Sequence, residues 1–237
     1  MKAYLDGDIL AYRIGFACQT KEEIPSVSED ICKARLQSFI VNVMMDVEAD
    51  GYDGYFTKDS STNFRLKIAT SYPYKGQRSG SKPYYYDLIR SELENTWGFI
   101  GVSGIEADDA IAIAATENGL DQTTICSIDK DFLQIPCYHY SYVSRKIHNE
   151  SEYSGFYNFC TQVLTGDRID NVVGLRGVGP KRAAKLLDDA TTREGLLSVC
   201  KRSYEQASDG GYSRFVENCQ LLWLKRYPID SGKTELS

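Results

Sequence analysis

Acidic residues recur along the 237-residue sequence in small groups that lie far apart. The acids concerned are Asp6, Asp59, Glu106, Asp108, Asp109, Asp129, Asp131, Asp167 and Asp170. Two carboxylates about 4 Å apart repel by roughly 4 kcal/mol at an effective dielectric near 20, so acids that converge need raised pKa values or bound cations. Oxygen ligands alone favour Mg²⁺ or Mn²⁺ over zinc. Two such ions about 4 Å apart hold the attacking and leaving oxygens of a phosphodiester, so these acids indicate phosphoryl chemistry.

Most of these acids follow the predicted strands of an α/β fold. Short apolar runs predict four buried strands, at 3–6, 52–56, 98–102 and 123–128. Their alternation with helical patterns predicts a mostly parallel central sheet flanked by helices. Because the carboxyl ends of parallel strands meet at one edge of a sheet, we expect the acids after the strands to converge there. Taken singly, the acids at 106–109 and at 129–131 have an equally good structural explanation. Acids in the first turn of a helix interact favourably with the helix macrodipole.

Helical patterns fill most of the remaining sequence. They cover 28–50, 82–98, 106–119, 155–166, 180–189, 192–207 and 212–226. Strand patterns fade after about residue 150, so we expect an α/β domain over 1–150 and a helical region over 151–237, with a frayed tail from about 230. Asp167 and Asp170 are three residues apart, a spacing that would place both on one face of a helical turn.

The segment "GLRGVGPKRAAKLL" at 174–187 is typical of a hairpin that binds phosphate. Gly177 and Gly179 permit a tight turn, and Pro180 suits the first position of a helix whose free N–H groups face an anion. The basic residues on the opening turns of that helix are Lys181, Arg182 and Lys185. Such a helix-hairpin-helix would bind sugar-phosphate backbone without reading bases. The alternative is an ordinary corner between two helices.

The overall net charge of −6 conceals two basic stretches. Residues 58–90 carry a net charge of +5, and residues 168–202 carry +4. Nucleic-acid binding and two merely solvated faces are equal alternatives for such stretches. Tyr74 precedes Lys75, and we expect its ring to stack on a base. The tyrosines at 84–86 fit a packed helix face equally well.

Composition excludes several classes of protein. The seven cysteines form no CxxC pair and only two histidines accompany them, so we expect buried free thiols and no zinc or redox site. No apolar run approaches the roughly 18 residues of a membrane span, and the N-terminus lacks the apolar core of a signal peptide. We therefore expect a cytoplasmic monomer that does not bind membranes.

Five ordered motifs resemble those of phage-type 5′-3′ exonucleases of the flap endonuclease family, which is akin to the 5′-nuclease domain of bacterial DNA polymerase I. They are "LDGDIL", "TKDSSTNFRLKIATSYPYKGQR", "GIEADDAIAIAA", "SIDKDFLQI" and "LTGDRIDNVVGLRGVGPKRAAKLL", within residues 3–190. The resemblance implies an enzyme of a phage-infected or bacterial cell that hydrolyses DNA to 5′-phosphate and 3′-hydroxyl ends. It also implies a part in replication, recombination or primer removal.

The same resemblance implies roles for individual residues. The first of two metal ions would be served by Asp6, Asp59, Glu106 and Asp108, with Asp109 close by. The second would be served or flanked by Asp129, Asp131, Asp167 and Asp170. Lys75 and Arg78 would reach the scissile phosphate, with Arg65 in support. The hairpin would bind duplex DNA that has a 5′ end, a nick or a flap, and its carbonyls would hold a monovalent cation such as K⁺.

The sequence departs from the family pattern at two places. Asp8 stands where the family usually has a small polar residue, and we leave it out of the ligand set. The segment 79–105 has room for one helix where relatives that thread a single strand usually have two, so threading stays open. The balance between exonuclease and flap cleavage and the use of an RNA–DNA primer hybrid also stay open.

Two other functions remain as alternatives. A non-catalytic helix-hairpin-helix module would bind DNA, but it would not need acids at every strand end. A related metal-dependent RNase would not need the hairpin, and the sequence carries no recognisable signature for reading a 2′-hydroxyl.

Overall fold

The computed structural model describes residues 1–77, 80–208 and 211–228. The strands of this part are β1 Lys2–Asp6, β2 Gly51–Asp59, β3 Ile100–Ser103, β4 Thr123–Cys126, β5 Tyr138–Tyr140, β6 Ile147–Asn149, β7 Gly166–Asp167 and β8 Val172–Val173. The first six form one sheet in the order β3-β2-β1-β4-β5-β6, and β7 pairs with β8. Arg78 and the tail from about 230, both subjects of sequence predictions, lie outside the described residues.

The central part of the sheet is parallel, as predicted. Strand β1 pairs in parallel with β2 and β4, and the same orientation continues to β3 on one side and β5 on the other. Strand β6 runs antiparallel to β5. Strands β1 and β4 end side by side, with Leu5 paired to Cys126. The acids at the carboxyl ends of these two strands therefore lie at neighbouring points on one edge of the sheet.

Helices cover both faces of the sheet and most of the chain after Asn149. They are α1 Gly7–Ala17, α2 Glu29–Asp46, α3 Arg65–Ile68, α4 Tyr86–Asn95, α5 Ala107–Asn118, α6 Glu152–Thr165, α7 Pro180–Leu187, α8 Arg193–Gln206 and α9 Tyr212–Leu222. Short 3-10 helices lie at Ser60–Thr62, Leu120–Gln122 and Lys130–Gln134. Helix α1 was not predicted; it follows β1 with no residue between the two. None of the helices in the described part is long and apolar enough to cross a bilayer.

Alternate residues of β1 pack on opposite faces of the sheet, as the two-residue period of a strand requires. Ala3 and Leu5 lie in the cluster formed with α1, α2 and α4, whereas Tyr4 lies with Ile111 of α5. The helices after Asn149 bury a third cluster, in which Phe159 packs edge-on against Trp223. All seven cysteines are free and buried, as predicted.

Helix α9 ends earlier than the sequence predicts. The predicted helix over 212–226 is wrong beyond Leu222, since Trp223 is extended, with φ −73° and ψ 126°. We call residues 221–226 the strap. The side-chain amide of Gln134 donates to the Leu222 carbonyl at 2.8 Å and accepts from the Leu224 N–H at 3.3 Å. The side chain of Gln134 thus takes the place of helical hydrogen bonds.

Candidate active site

The acids at the carboxyl ends of β1 and β4 are joined through a serine. Asp6 caps α1 by accepting from the Ile9 N–H at 3.1 Å, and its other oxygen accepts from Ser127 Oγ at 2.8 Å. Ser127 Oγ in turn accepts from the Asp129 N–H at 3.0 Å. Burial, with repulsion from Asp8 and Asp129, raises the pKa of Asp6 to about 7. Ser127 opens the "SIDKDFLQI" motif but was not among the predicted site residues.

A second group of acids surrounds Lys130. Its ammonium group binds Asp131 Oδ1 at 3.1 Å and also bonds Asp167, and the Gln162 amide donates to the same Asp131 oxygen. Asp129 accepts from the Asp131 N–H at 2.9 Å. Burial and the charge of Asp131 raise the pKa of Asp129 to about 6. These contacts gather acids from the end of β4 and from β7 into one cluster.

Asp167 and Asp170 lie in a β-hairpin and not in a helical turn, so that prediction is wrong. Strands β7 and β8 pair antiparallel, and Asp167 Oδ1 accepts from the N–H groups of Ile169 and Asp170 at 2.7 and 3.1 Å. The Asp side chain thus closes the turn, which competes with helix formation. As a result the two acids contact different groups: Asp167 contacts Lys130, and Asp170 contacts Tyr74 and Lys75.

Glu106 is the centre of a third group. Lys75 Nζ bonds Glu106 Oε1 and lies 3.8 Å from Asp170 Oδ2, while the Tyr74 hydroxyl lies 2.7 Å from Glu106 and 2.8 Å from Asp170. Burial opposes ionisation of Glu106, but the charges of Lys75 and Arg65 outweigh it and hold its pKa below the usual value. Lys75 is thereby placed among the acids of two separate chain segments.

The expectation that Tyr74 stacks on a base is wrong in this structure. The residue is 6% exposed, packs in the cluster of the C-terminal helices, and directs its hydroxyl at two carboxylates. Burial and the charge of Glu106 raise the pKa of the phenol. Among the other tyrosines considered, Tyr85 is buried and Tyr84 is exposed. Tyr74 therefore belongs to the carboxylate site and offers no ring surface to DNA.

Asp109 and Arg65 form a buried pair beside Glu106. Arg65 Nη2 donates to Asp109 at 2.8 Å and to the Trp223 carbonyl at 2.9 Å, and Nε donates to the Leu221 carbonyl at 2.9 Å. Its Nη1 donates to Asp109 and to Glu106. Every N–H of the guanidinium thus has an acceptor. Arg65 is 1% exposed, so it supports the site through its neighbours and does not reach a substrate.

The oxygens of Asp109 are also fully engaged. Besides Arg65, they accept from the N–H groups of Glu106 and Lys225 at 3.3 and 3.0 Å, and the residue is 0% exposed. Asp108 is half-buried, and burial together with the charges of Glu106 and Asp109 raises its pKa well above the usual value. Of these two adjacent acids, Asp108 has the oxygens better placed to take a cation.

Two acids at the edge of the sheet are held by other partners. Asp59 accepts from the Ser61 N–H and hydroxyl at 2.8 and 2.6 Å, which caps a 3-10 helix, and these bonds do not join it to the other acids. Asp8 accepts from Arg90 at 2.8 Å and from the Thr57 N–H at 3.0 Å, so it braces α1 against β2 and α4. The assignment of Asp59 to the first ion remains a prediction.

The chemistry of the remaining donors fits hard divalent cations. The acids in question are Asp6, Glu106, Asp108, Asp129, Asp131, Asp167 and Asp170. Their nearby ammonium groups are those of Lys75 and Lys130, and burial, together with repulsion from neighbouring acids, raises the pKa values of Asp6 and Asp129. In residues 1–77, 80–208 and 211–228, no three His, Cys, Asp or Glu side chains lie at the spacing of one ion. The lysine ammonium groups stand between the acids.

The predicted hairpin leads into an exposed basic helix. Gly177 has a φ of +73°, in the left-handed region, Gly179 is the N-cap of α7, and Pro180 begins the helix. Ala183 and Leu187 of α7 are buried. The side chains on the opposite, exposed face include Lys181, Arg182 and Lys185. The surface is therefore suited to a phosphate backbone.

Comparisons with known proteins agree on one family. The DNA polymerase I of Rhizobium leguminosarum is 39% identical over 155 residues, which cover 58% of this chain and 15% of the polymerase. The 5′-3′ exonuclease of Mycoplasma pneumoniae is 24% identical over 215 residues, 82% of this chain and 74% of that protein. The chain thus spans a small part of the polymerase and about three quarters of the exonuclease. No protein-family model matches the chain.

Solved structures of low sequence identity share the fold. A bacteriophage T5 protein co-crystallised with metal ions has a TM-score of 0.69 at 15% identity, over 93% of this chain and 88% of that one. The T5 flap endonuclease in a pseudo-enzyme-product complex with DNA and metal ions has a TM-score of 0.62 at 16% identity, over 93% and 85%. The solved structures show the shared fold, and the sequence matches make the chain similar to 5′-3′ exonucleases and flap endonucleases.

Proposed function

We propose that the protein is a metal-dependent 5′-3′ exonuclease and structure-specific 5′ flap endonuclease of DNA. The observation that carries the proposal is the convergence of acids from the end of β4, the start of α5 and the β7–β8 hairpin around Lys75 and Lys130, with Asp6 of β1 joined to Asp129 through Ser127. A non-catalytic DNA-binding module has no use for this clustering of acids. The products would be 5′-phosphate and 3′-hydroxyl ends.

The metal-binding residues are proposed in two groups. Asp6, Asp59, Glu106 and Asp108 would serve one ion of Mg²⁺ or Mn²⁺, and Asp129, Asp131, Asp167 and Asp170 the other. Bound there, such ions supply Lewis acidity to a phosphodiester and an activated water. We propose Asp109 as a support for Glu106 and not as a ligand, because its oxygens already accept from Arg65 and two backbone N–H groups.

Lys75 is the proposed contact to the scissile phosphate. Its ammonium group already lies among carboxylates that a phosphate would approach, and a cation aimed at the reacting group stabilises charge that develops in the transition state. We propose the same role for Arg78, three positions after Lys75 in the sequence. Tyr74 holds Glu106 and Asp170 on either side of its hydroxyl, so it orients acids beside Lys75.

The proposed substrate is duplex DNA with a 5′ end, a nick or a flap, bound by a cytoplasmic monomer. Helix α7 would contact the backbone, with K⁺ at the carbonyls of the preceding turn. Support comes from the basic exposed face of α7 and from the T5 flap endonuclease, whose solved complex contains DNA and metal ions.

A cleavage assay with end-labelled nicked and flap duplexes tests the proposal. We expect cutting in Mg²⁺ or Mn²⁺, and poor cutting in Ca²⁺, because Ca²⁺ takes more ligands at longer distances and misplaces the attacking water. Full activity in EDTA would contradict the metal mechanism. Binding without cleavage would favour the DNA-binding module, and selective cutting of single-stranded RNA would favour the RNase.

Charge removal on α7 should weaken binding without slowing chemistry. We expect the Lys181→Ala and Arg182→Ala variants to bind all duplexes more weakly, with a log-log salt slope shallower by about one unit per lost phosphate contact. Lys75→Ala should instead lower the single-turnover rate at saturating DNA. DNA binding in Ca²⁺ at several salt concentrations measures the affinity and its salt slope, and cleavage in Mg²⁺ measures the single-turnover rate. The assignment is wrong if the α7 variants lower the saturated rate and Lys75→Ala alters affinity alone.

A further inference from the structure

One face of α9 carries polar residues that point back at the site. Arg214, Glu217 and Asn218 have the i, i+3, i+4 spacing that places side chains on one helix face. Glu217 and Asn218 are 8% and 5% exposed, so their polar atoms must be satisfied inside the protein. Helix α9 lies outside the five motifs and is assigned no role in cleavage. Its buried polar face therefore needs another explanation.

Glu217 binds two consecutive residues through four hydrogen bonds. One carboxylate oxygen accepts from the N–H groups of Thr70 and Ser71 at 2.7 and 2.8 Å. The other accepts from their hydroxyls at 2.9 and 2.6 Å. Although burial opposes its ionisation, these donors hold the pKa of Glu217 below the usual value. The carboxylate thus fixes both the backbone and the side chains of the segment that leads to Tyr74 and Lys75.

The neighbouring residues of α9 hold the hairpin that carries the other acids. Asn218 Nδ2 donates to the Val173 carbonyl at 2.9 Å, and Arg214 Nη2 donates to the same carbonyl at 2.8 Å. Val173 ends the β7–β8 hairpin that contains Asp167 and Asp170. A single helix face therefore anchors two segments that supply the site.

These two segments are also bonded directly to each other. Asn171 Nδ2 donates to the Pro73 carbonyl, and the Lys75 N–H donates to the Asp170 carbonyl, each at 2.8 Å. Lys75 itself has a φ of +55°, a left-handed conformation that surrounding contacts must hold for a residue other than glycine. The conformation of Lys75 therefore depends on anchors at both ends of residues 70–75.

We propose that Glu217 is a positioning residue that fixes residues 70–75 and thereby places the Lys75 ammonium group against Glu106 and Asp170. The effect on cleavage rests on the proposed function, whereas the anchoring of Thr70 and Ser71 does not. The negative charge is not required for anchoring. A glutamine in the same place keeps one oxygen for the two N–H groups and can donate from Nε2 to the two hydroxyls.

The test compares Glu217→Ala with Glu217→Gln, with Glu205→Ala as the control. Glu205 lies on the exposed face of α8 and pairs with Lys201 four residues away, so its loss leaves the site untouched. In metal-free Glu217→Ala protein, amide exchange at Thr70 and Ser71 should accelerate at least about tenfold relative to the core strands. The saturated single-turnover rate should fall about tenfold to a hundredfold with DNA affinity unchanged, because small misplacements are costly.

Rescue distinguishes positioning from general destabilisation. Glu217→Gln should restore the single-turnover rate to within about threefold of that of the unmodified protein. Ser71→Ala should lower this rate less in the Glu217→Ala background than in the unmodified protein. A uniform increase in exchange along the whole chain, or a rate unchanged in Glu217→Ala, would overturn the proposal. Should Glu217→Ala not fold, a Thr70→Val, Ser71→Ala double variant removes the two hydroxyl donors and is judged by the same readouts. Absence of cleavage by the unmodified protein would contradict the proposed function, while the exchange experiment would still decide the anchoring.

Discussion

Asp129→Asn and Asp131→Asn variants are expected to cut DNA about a hundredfold or more slowly in single turnover, with DNA affinity changed by less than about threefold. Each substitution removes one charge from a cluster that also contains Asp167 and Lys130. A cation held there would stabilise charge mainly in the transition state, while the proposed DNA contacts on the exposed basic face of α7 would be unchanged. Single-turnover rates beside binding isotherms measure the two effects separately.

The competing explanation for these acids is helix capping, and it makes a different forecast. Asp129 does cap the Lys130–Gln134 3-10 helix by accepting from the Asp131 N–H. If capping were its whole role, Asp129→Asn would change thermal stability slightly and leave the rate intact. Asp121→Asn is a matched control, because Asp121 is exposed at the 3-10 helix before β4. If all three variants cut DNA at the rate of the unmodified protein, neither Asp129 nor Asp131 belongs to the proposed metal site.

Arg65→Leu is expected to have the largest effect on stability, a loss of about 3–5 kcal/mol in the free energy of unfolding. The substitution leaves Asp109 buried at 0% exposure without its main charge partner and strips donors from the carbonyls of Leu221 and Trp223. Urea unfolding of the metal-free protein measures the change. Cleavage should fall as well, since Arg65 also contacts Glu106.

Two further variants make the stability result specific to the guanidinium geometry. Arg65→Lys keeps the charge beside Asp109, but one ammonium group cannot bond two carboxylates and two carbonyls in the same fixed plane, so an intermediate loss is expected. Arg202→Leu changes an exposed arginine of α8 and should shift stability by less than about 0.5 kcal/mol. A loss below about 1 kcal/mol for Arg65→Leu would mean that Asp109 finds other donors.

The sheet and much of the acidic edge could be predicted because both depend on short-range patterns. Apolar runs mark β1 and β4, and Asp6 and Asp129 follow them closely in the sequence, so strand direction alone places these acids at one edge. The predicted helical turn at Asp167 and Asp170 is wrong because a side chain, and not a backbone carbonyl, accepts the hydrogen bonds of the N–H groups there. Asp167 turns its segment into a hairpin by accepting two N–H groups, which spacing in the sequence does not reveal.

Other parts of the site depend on contacts between residues remote in sequence. Tyr74 was expected at a DNA surface, yet it lies under the C-terminal helices with its hydroxyl on Glu106 and Asp170. Glu217 looks like an ordinary helix residue until its bonds to Thr70 and Ser71 are seen. No local pattern predicts which distant donors a buried polar group will find, so these residues required the structure.

The strap also determines when in biosynthesis the site can close. Arg65 takes its carbonyl partners from Leu221 and Trp223, which are 156 and 158 positions later in the chain. At about 5–20 residues per second, a ribosome needs on the order of ten seconds to add that much chain. Until then Arg65 and Asp109 lack the strap, although every proposed metal-binding acid has already been made. The nascent protein therefore carries these acids before Arg65 and Asp109 can form their contacts with the strap.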